Sequence, residues 1–489
     1  MTGERSQLRI AYLSDNGLEL DVRAQKILTC LTERHANVQS FSLRRRGDAA
    51  LNPDLVPGVS LHGIQRTLSK GQAQAQMAGL PPWLAPRRIQ LAARVLGLPV
   101  ILAGGATALG LVAGWVFPLL ALPLIAMLAI RYWVDNRMAR LRTMTGFSPK
   151  AKTEVPLFDA WAAHTKQSRA LLDGVEAAIA RDGPFDVIHA QELIGLEAGA
   201  ELKRRHGGIL IWEAAELYED MADPDPGQSA VARRVIAGAA PLVDGMTTVN
   251  DSLAEYYHAT YPDLPGPVVV MNATPRMQAP EDDGRLRAAT GFGPEDRILL
   301  FQGGLTINRG LPALIDAAQH FPPGWKLAVL GYGELGPELT ARADAINAGT
   351  NAPRIAMLPP VPSHELAAWT VGADLGIIPY ENVAGNHWFC APNKLWEYPA
   401  AGLPFLAPRL HFIERLVDKY GTGILFDAEF DADTIARAVA SVDDAALARA
   451  RDAIPRFLDE MSWEQFTPRI HALYDAVLSD PAGSASKRS

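Results

Sequence analysis

Apolar and polar residues alternate along most of this 489-residue chain in a repeating strand, turn and helix rhythm. Leu8–Ser14 is an apolar burst that runs into the turn Asp15-Asn16-Gly17. Asp21 stands where a side-chain oxygen can accept from the free amides of a first helical turn, so the pattern predicts a helix to about His35 and a strand at Val38–Leu43. A helix near Phe158–Ala180 and strands at Val187–His189, Ile209–Glu213, Met246–Val249 and Val268–Met271 continue the alternation. A polar, proline-bearing stretch, about Ala273–Asp296, reads as a linker. A second block follows, with strands near Ile298–Gln302, Lys326–Leu330, Arg354–Leu358, Leu375–Pro379, Pro404–Ala407 and Gly423–Phe426. The last helix, about Trp463–Leu478, leads to a polar tail read as disordered. Strands alternating with helices predict an α/β protein built of two wound parallel sheets.

One segment departs from this rhythm. Val95–Ile130 is 36 residues without a charge, long for one membrane helix of about 20 residues and short for two. Its glycines and prolines argue against one straight rod. The expected form is a helical hairpin, Leu96–Ala113 and Phe117–Val134, turning at Gly114–Trp115, with Gly110 and Gly114 spaced for close helix approach. Arginines flank both ends, which puts both flanks on the cytoplasmic side. Trp83–Leu96, with Arg87, Arg88 and Arg94, is expected to lie along the membrane surface. A re-entrant hairpin or one buried in protein remain open forms of the same segment. Because predicted strands of one sheet lie on both sides of it, the chain must return to the side it left.

Charge and composition narrow the function classes. A net charge of −8 gives no overall attraction to nucleic acid or anionic lipid, so nucleic acid is not an expected partner. Cys30 and Cys390 alone exclude a disulfide framework and the usual zinc clusters. The first twenty residues carry Glu4, Arg5, Arg9, Asp15 and Glu19 and read as no secretory signal.

Two stretches carry chemistry. Gly303-Gly304-Leu305-Thr306-Ile307-Asn308-Arg309-Gly310 follows an apolar strand and opens a helix, a place where backbone amides approach an anion and Arg309 can grip a phosphate. In Ala391-Pro392-Asn393-Lys394-Leu395-Trp396-Glu397, Asn393 and Glu397 share a helix face, and a carboxylate there can accept two vicinal hydroxyls beside the charge of Lys394. Asp223-Pro224-Asp225 imitates a metal-binding D-x-D but sits in a proline-rich loop, so no metal is expected.

These stretches resemble the retaining glycosyltransferases of family 4. The chain reads FQGGLTINRGL, VLGYGEL and APNKLWEYPAAGLPFLA in the family's order, and LDVRAQKILTCL, PFDVIHAQEL and ILIWEAAELYED resemble its N-terminal motifs. The resemblance implies a GT-B fold, two Rossmann-like domains facing a cleft, with the hydrophobic hairpin inserted in the first. The expected divisions are 1–272 for the acceptor domain, containing the insertion 83–142, then 297–460 for the nucleotide-sugar domain and 461–489 for the closing helix and tail. It implies sugar transfer with retention from a nucleoside-diphosphate sugar, without metal or cofactor, and the hairpin points to a membrane glycolipid or lipid-linked glycan acceptor at the cytoplasmic face of the plasma membrane. Carried over residue by residue, Arg309 and Lys394 hold the diphosphate and Glu397 the ribose. Gly303, Gly304, Asn393, Val361, Gly385, Asn386 and His387 border the donor. Asn16, Gly17, Gln191, Glu192 and Glu216 are expected on the acceptor side. The chain departs from the family at Gly304, Phe389, Gln191 and Ala215, where polar or charged residues are usual. These departures keep open a non-catalytic scaffold of the same fold, and a sugar-nucleotide epimerase or hydrolase on that fold is the other alternative.

Overall fold

The computed structural model describes residues 6–44, 48, 51–66, 157–222, 226–350 and 352–479. The predicted hairpin, the Asp223-Pro224-Asp225 stretch and the terminal tail lie outside the described residues. No helix among the described residues is long and apolar enough to cross a membrane.

Seven parallel strands form the first sheet: β1 (Ser6–Ser14), β2 (His35–Arg44), β3 (Val59–Gln65), β4 (Val187–Gln191), β5 (Ile209–Ala214), β6 (Gly245–Thr248) and β7 (Val268–Val269), in the order β3-β2-β1-β4-β5-β6-β7. Ile10–Leu13 are fully buried because helices cover both faces of a wound sheet, which is why β1 reads as a continuous apolar run. The chain reverses direction across the sheet between β1 and β4, which pair directly through Ile10–Leu13 and Val187–Ala190. Open α/β sheets place ligands at such a switch, beyond the carboxyl ends of the strands.

The second sheet holds β8 (Arg297–Gly304), β9 (Trp325–Tyr332), β10 (Ile355–Leu358), β11 (Leu375–Ile377), β12 (Phe405–Pro408) and β13 (Gly423–Phe426), all parallel, in the order β10-β9-β8-β11-β12-β13. Its six strands coincide with the six expected ones. Two features differ from expectation. The strand β3 went unpredicted because it is a half-exposed edge carrying His62 and Gly63, with no continuous apolar signal. The stretch read as a linker contains a short helix, Arg285–Thr290, held at both ends by left-handed glycines, Gly284 and Gly291.

The closing helix Thr467–Ser479 does not stay with the second sheet. It packs against β6, β7 and the helix Val22–Arg34 of the first. Its Tyr474 is buried and bonds His189 of β4 at 2.9 Å.

Candidate active site: a cleft lined by two cations

The carboxyl ends of both sheets open into a cleft of about 680 Å³. On the second-domain side, β8 ends in Gln302-Gly303-Gly304 and the chain turns through Arg309 into the helix Leu311–Ala317. Gly303 has φ +122°, and a Cβ there would stand 2.9 Å from the Lys394 ammonium, so the backbone must be bare for the lysine to lie against it. A Cβ on Gly304 would meet only Thr306 at 3.8 Å, an ordinary contact, so no steric reason forbids a side chain there.

Arg309 and Lys394 share one aromatic platform. The Arg309 guanidinium lies 4.0 Å from the Tyr380 ring centroid and the Lys394 ammonium 5.4 Å from it. Lys394 is only 7% exposed, and burial pulls its pKa down to about 8, with Glu397 opposing and Arg309 adding to the drop. Burial depresses Arg309 as well, against the pull of Cys390 and Glu216. Neither cation has a carboxylate within 4 Å among the described residues. Two desolvated positive charges without a paired anion make a site for an external one.

Glu397 stands one helical turn from Asn393 on the helix Lys394–Ala400 and faces the cleft. This helix is fixed from below by Tyr398, whose hydroxyl reaches the carbonyls of Leu300 and Ile377 at 3.0 and 3.1 Å. The ring passes so close to β11 that a Cβ on Gly376 would meet it at 2.6 Å. Val361 lines the outer end of the cleft between Pro360 and Ser363.

The opposite wall comes from the first domain: Ala215 and Glu216 after β5, Val249 after β6 and Asn272 after β7. Asn386 bridges the two domains, donating to the Glu216 carboxylate at 2.6 Å and accepting from the Leu217 amide at 2.8 Å. Asn308 reaches the Ala222 carbonyl at 2.9 Å and Asn250 the Phe389 carbonyl at 2.7 Å. His387 donates Nδ1–H to the Glu381 carbonyl at 2.6 Å, because a carbonyl only accepts, and burial lowers its pKa.

Of the residues expected to border the donor, Gly303, Gly304, Arg309, Val361, Asn386, His387, Asn393, Lys394 and Glu397 line this one cleft. Gly385 does not; its amide is bound to Asp220 of the first domain at 2.8 Å. On the acceptor side only Glu216 lines it. Asn16 and Gly17 follow the end of β1, where Arg66 binds the Asp15 carbonyl and reaches Asn16 at 3.4 Å. Gln191 is buried against Asp21 at 2.8 Å, and Glu192 accepts from Tyr218 at 2.5 Å with a left-handed φ of +59°. Burial raises the Glu192 carboxyl well above its usual range, and it raises Asp15 to about 6 against the pull of Arg66.

His189 is structural. It is fully buried between Tyr474 and Glu213, at 2.9 and 3.3 Å. Burial works to raise Glu213, but Arg23 at 2.8 Å and His189 outweigh it and bring the carboxyl down to about 2. Cys390 lines the cleft with its thiol pushed up to about 12 by burial, which leaves it inert as a nucleophile. Phe389 packs edge-on to His411 at 5.5 Å. Sequence reasoning missed Tyr380, Gln302 and Thr370. Tyr380 carried no signal because a lone tyrosine after a strand is common.

The arrangement defines the chain as a GT-B protein: two parallel Rossmann-like sheets with the closing helix returned to the first. Residues 296–443, which make up most of the second domain, match the family model described as glycosyl transferases group 1. A D-inositol 3-phosphate glycosyltransferase of Pseudarthrobacter chlorophenolicus is 28% identical over 280 residues, covering 54% of this chain and 64% of that protein. One from Catenulispora acidiphila is 25% identical, covering 62% of this chain and 74% of the relative. The chain thus spans about two thirds of the relatives it matches. Among solved structures, sucrose-phosphate synthase of Thermosynechococcus elongatus superposes with TM-score 0.62 at 14% identity, over 97% of this chain and all of the other. HepE of Anabaena, in complex with UDP-glucose, superposes at 0.59 with 14% identity, over 96% and 100%. These likenesses establish the fold.

Proposed function

We propose that this protein transfers a sugar, with retention, from a nucleoside-diphosphate sugar to a hydroxyl of a membrane glycolipid or lipid-linked glycan, without a metal or cofactor. The observation that carries the donor half is the convergence of half-buried Arg309 and buried Lys394 on Tyr380, two cations facing a cleft with no carboxylate within 4 Å among the described residues. The relatives' name, and the UDP-glucose held by HepE, support the same half.

The anomeric C–O bond breaks as the diphosphate leaves with both electrons, and the acceptor oxygen bonds the anomeric carbon on the same face. The acceptor's proton passes to the departing phosphate oxygen. Negative charge grows on that oxygen, so cations already desolvated and held on Tyr380 stabilise the transition state more than the ground state. Glu397 accepts from the ribose hydroxyls. The Glu216 carboxyl, raised by burial against the pull of Asn386 and Arg309, lines the same cleft and faces the positive charge that develops on the sugar ring.

The uncharged run of residues 95–130 and its arginine flanks support a lipid acceptor and docking at the cytoplasmic face of the plasma membrane. The relatives' name offers a second reading, an inositol phosphate acceptor. The test incubates the protein with a panel of nucleotide sugars, and separately with native membrane lipids and inositol 3-phosphate, and reads products by mass spectrometry. A glycosylated lipid supports the proposal, glycosylated inositol phosphate replaces its acceptor half, and release of free sugar alone assigns a hydrolase.

A further inference from the structure

We infer that Gln302 and Thr370 form a buried positioning relay that aims the Glu397 carboxylate at the ribose of the donor. The inference rests on the nucleotide-sugar reading and deepens it. Both residues are only 1% exposed, yet each carries polar atoms that a core position must satisfy. The Gln302 amide nitrogen donates to Glu397 Oε2 at 3.1 Å. Its amide oxygen lies 2.7 Å from the Thr370 hydroxyl.

The donor and acceptor accounting leaves one arrangement. An ionised carboxylate only accepts, so Gln302 must turn its NH₂ toward Glu397. That turns its carbonyl oxygen toward Thr370, and a carbonyl oxygen cannot donate. The Thr370 hydroxyl is therefore the donor to Gln302, its single proton shared with the Leu366 carbonyl, equally near at 2.7 Å. The relay thus runs one way, from hydroxyl to amide to carboxylate. It occupies one lone pair of Oε2 and leaves the rest of the carboxylate, on the cleft side, for an incoming pair of hydroxyls. Lose the Thr370 proton and the glutamine carbonyl is buried without a donor, so the amide has no fixed orientation and can turn its oxygen toward the carboxylate. The relay links β8, through Gln302, to the helix Leu366–Thr370, whose Leu366 also lines the cleft.

The experiment compares the full chain with Thr370→Val and Thr370→Ser by calorimetric titration with UDP and with 2′,3′-dideoxy-UDP. The expected result is that Thr370→Val weakens UDP about tenfold, the size of one hydrogen bond to a charged group, and leaves the dideoxy nucleotide within twofold. Thr370→Ser restores UDP binding. Equal weakening of both nucleotides reports a general loss of packing and overturns the inference, as does unchanged UDP binding. Gln302→Leu repeats the test without altering the helix, and is expected to show the same selective loss. If the unaltered protein binds UDP but neither variant changes it, only the relay falls. If the unaltered protein binds neither UDP nor GDP, ADP or dTDP, the donor reading falls and the relay with it.

Discussion

Replacing Lys394 by methionine isolates one electrostatic cost of the cleft. The side chain is 7% exposed, and its pKa falls from 10.5 to about 8. At about 1.4 kcal/mol per unit, keeping the ammonium charged in the empty cleft costs about 3 kcal/mol. The sign follows from the lowered value: below pH 8 the lysine is charged in folded and unfolded chains alike and the full cost is present, and it fades as pH rises from 8 to 10.5. Lys394→Met, which keeps the stem's packing, should therefore stabilise the unliganded protein by up to about 3 kcal/mol at pH 7 in urea denaturation. An anion in the cleft reverses the balance. A bound diphosphate favours the charged form, so binding near pH 8 must draw in a proton and weaken about tenfold between pH 7 and pH 9. Calorimetry of UDP binding in buffers of different ionisation enthalpy reads the proton directly. The reasoning fails if the unaltered protein binds UDP with no proton uptake at pH 8. It fails equally if Lys394→Met keeps the same pH dependence, since the nearby His387 would then be the titrating group.

Other outcomes follow from the same geometry. Arg23→Met leaves Glu213 buried and without its strongest partner, and should cost about 3–5 kcal/mol in chemical denaturation. Because Glu213 is held down at about 2, the stability it contributes is present above its unfolded value near 4.5 and is lost as the pH falls toward 2, readable as a midpoint shift in acid unfolding. Asn386→Ala removes two hydrogen bonds across the domain junction, one to a carboxylate, and should cost about 1–3 kcal/mol. Asn386→Asp should be worse than alanine at pH 8 because it sets a second negative charge against Glu216; equal stability of the two variants would show that the bridge does not form.

Much of the second-domain wall of the cleft was legible because its signals are local. A glycine turn after an apolar strand and a lysine at a helix start are features of contiguous residues, and backbone geometry ties them to the carboxyl edge of a sheet. The first-domain wall was less legible. Gln191 and Glu192 share a motif with residues expected near the cleft, yet the local chain satisfies them internally, against Asp21 and Tyr218. No short pattern states whether a polar residue will find its partner inside the protein or leave it for a ligand.

The order of apolar and polar residues was enough to determine two blocks of parallel strands, the strands of the second sheet and the turn that carries Arg309, since periodicity and glycine placement act over a few residues. Tertiary structure alone decided that Tyr380 lies under both cations, that Asn386 reaches Glu216 about 170 positions away, and that the closing helix returns to the first sheet to bury Tyr474 on His189. Such contacts are chosen by which apolar faces must be covered and which buried polar atoms must be paired, a condition on the whole folded chain.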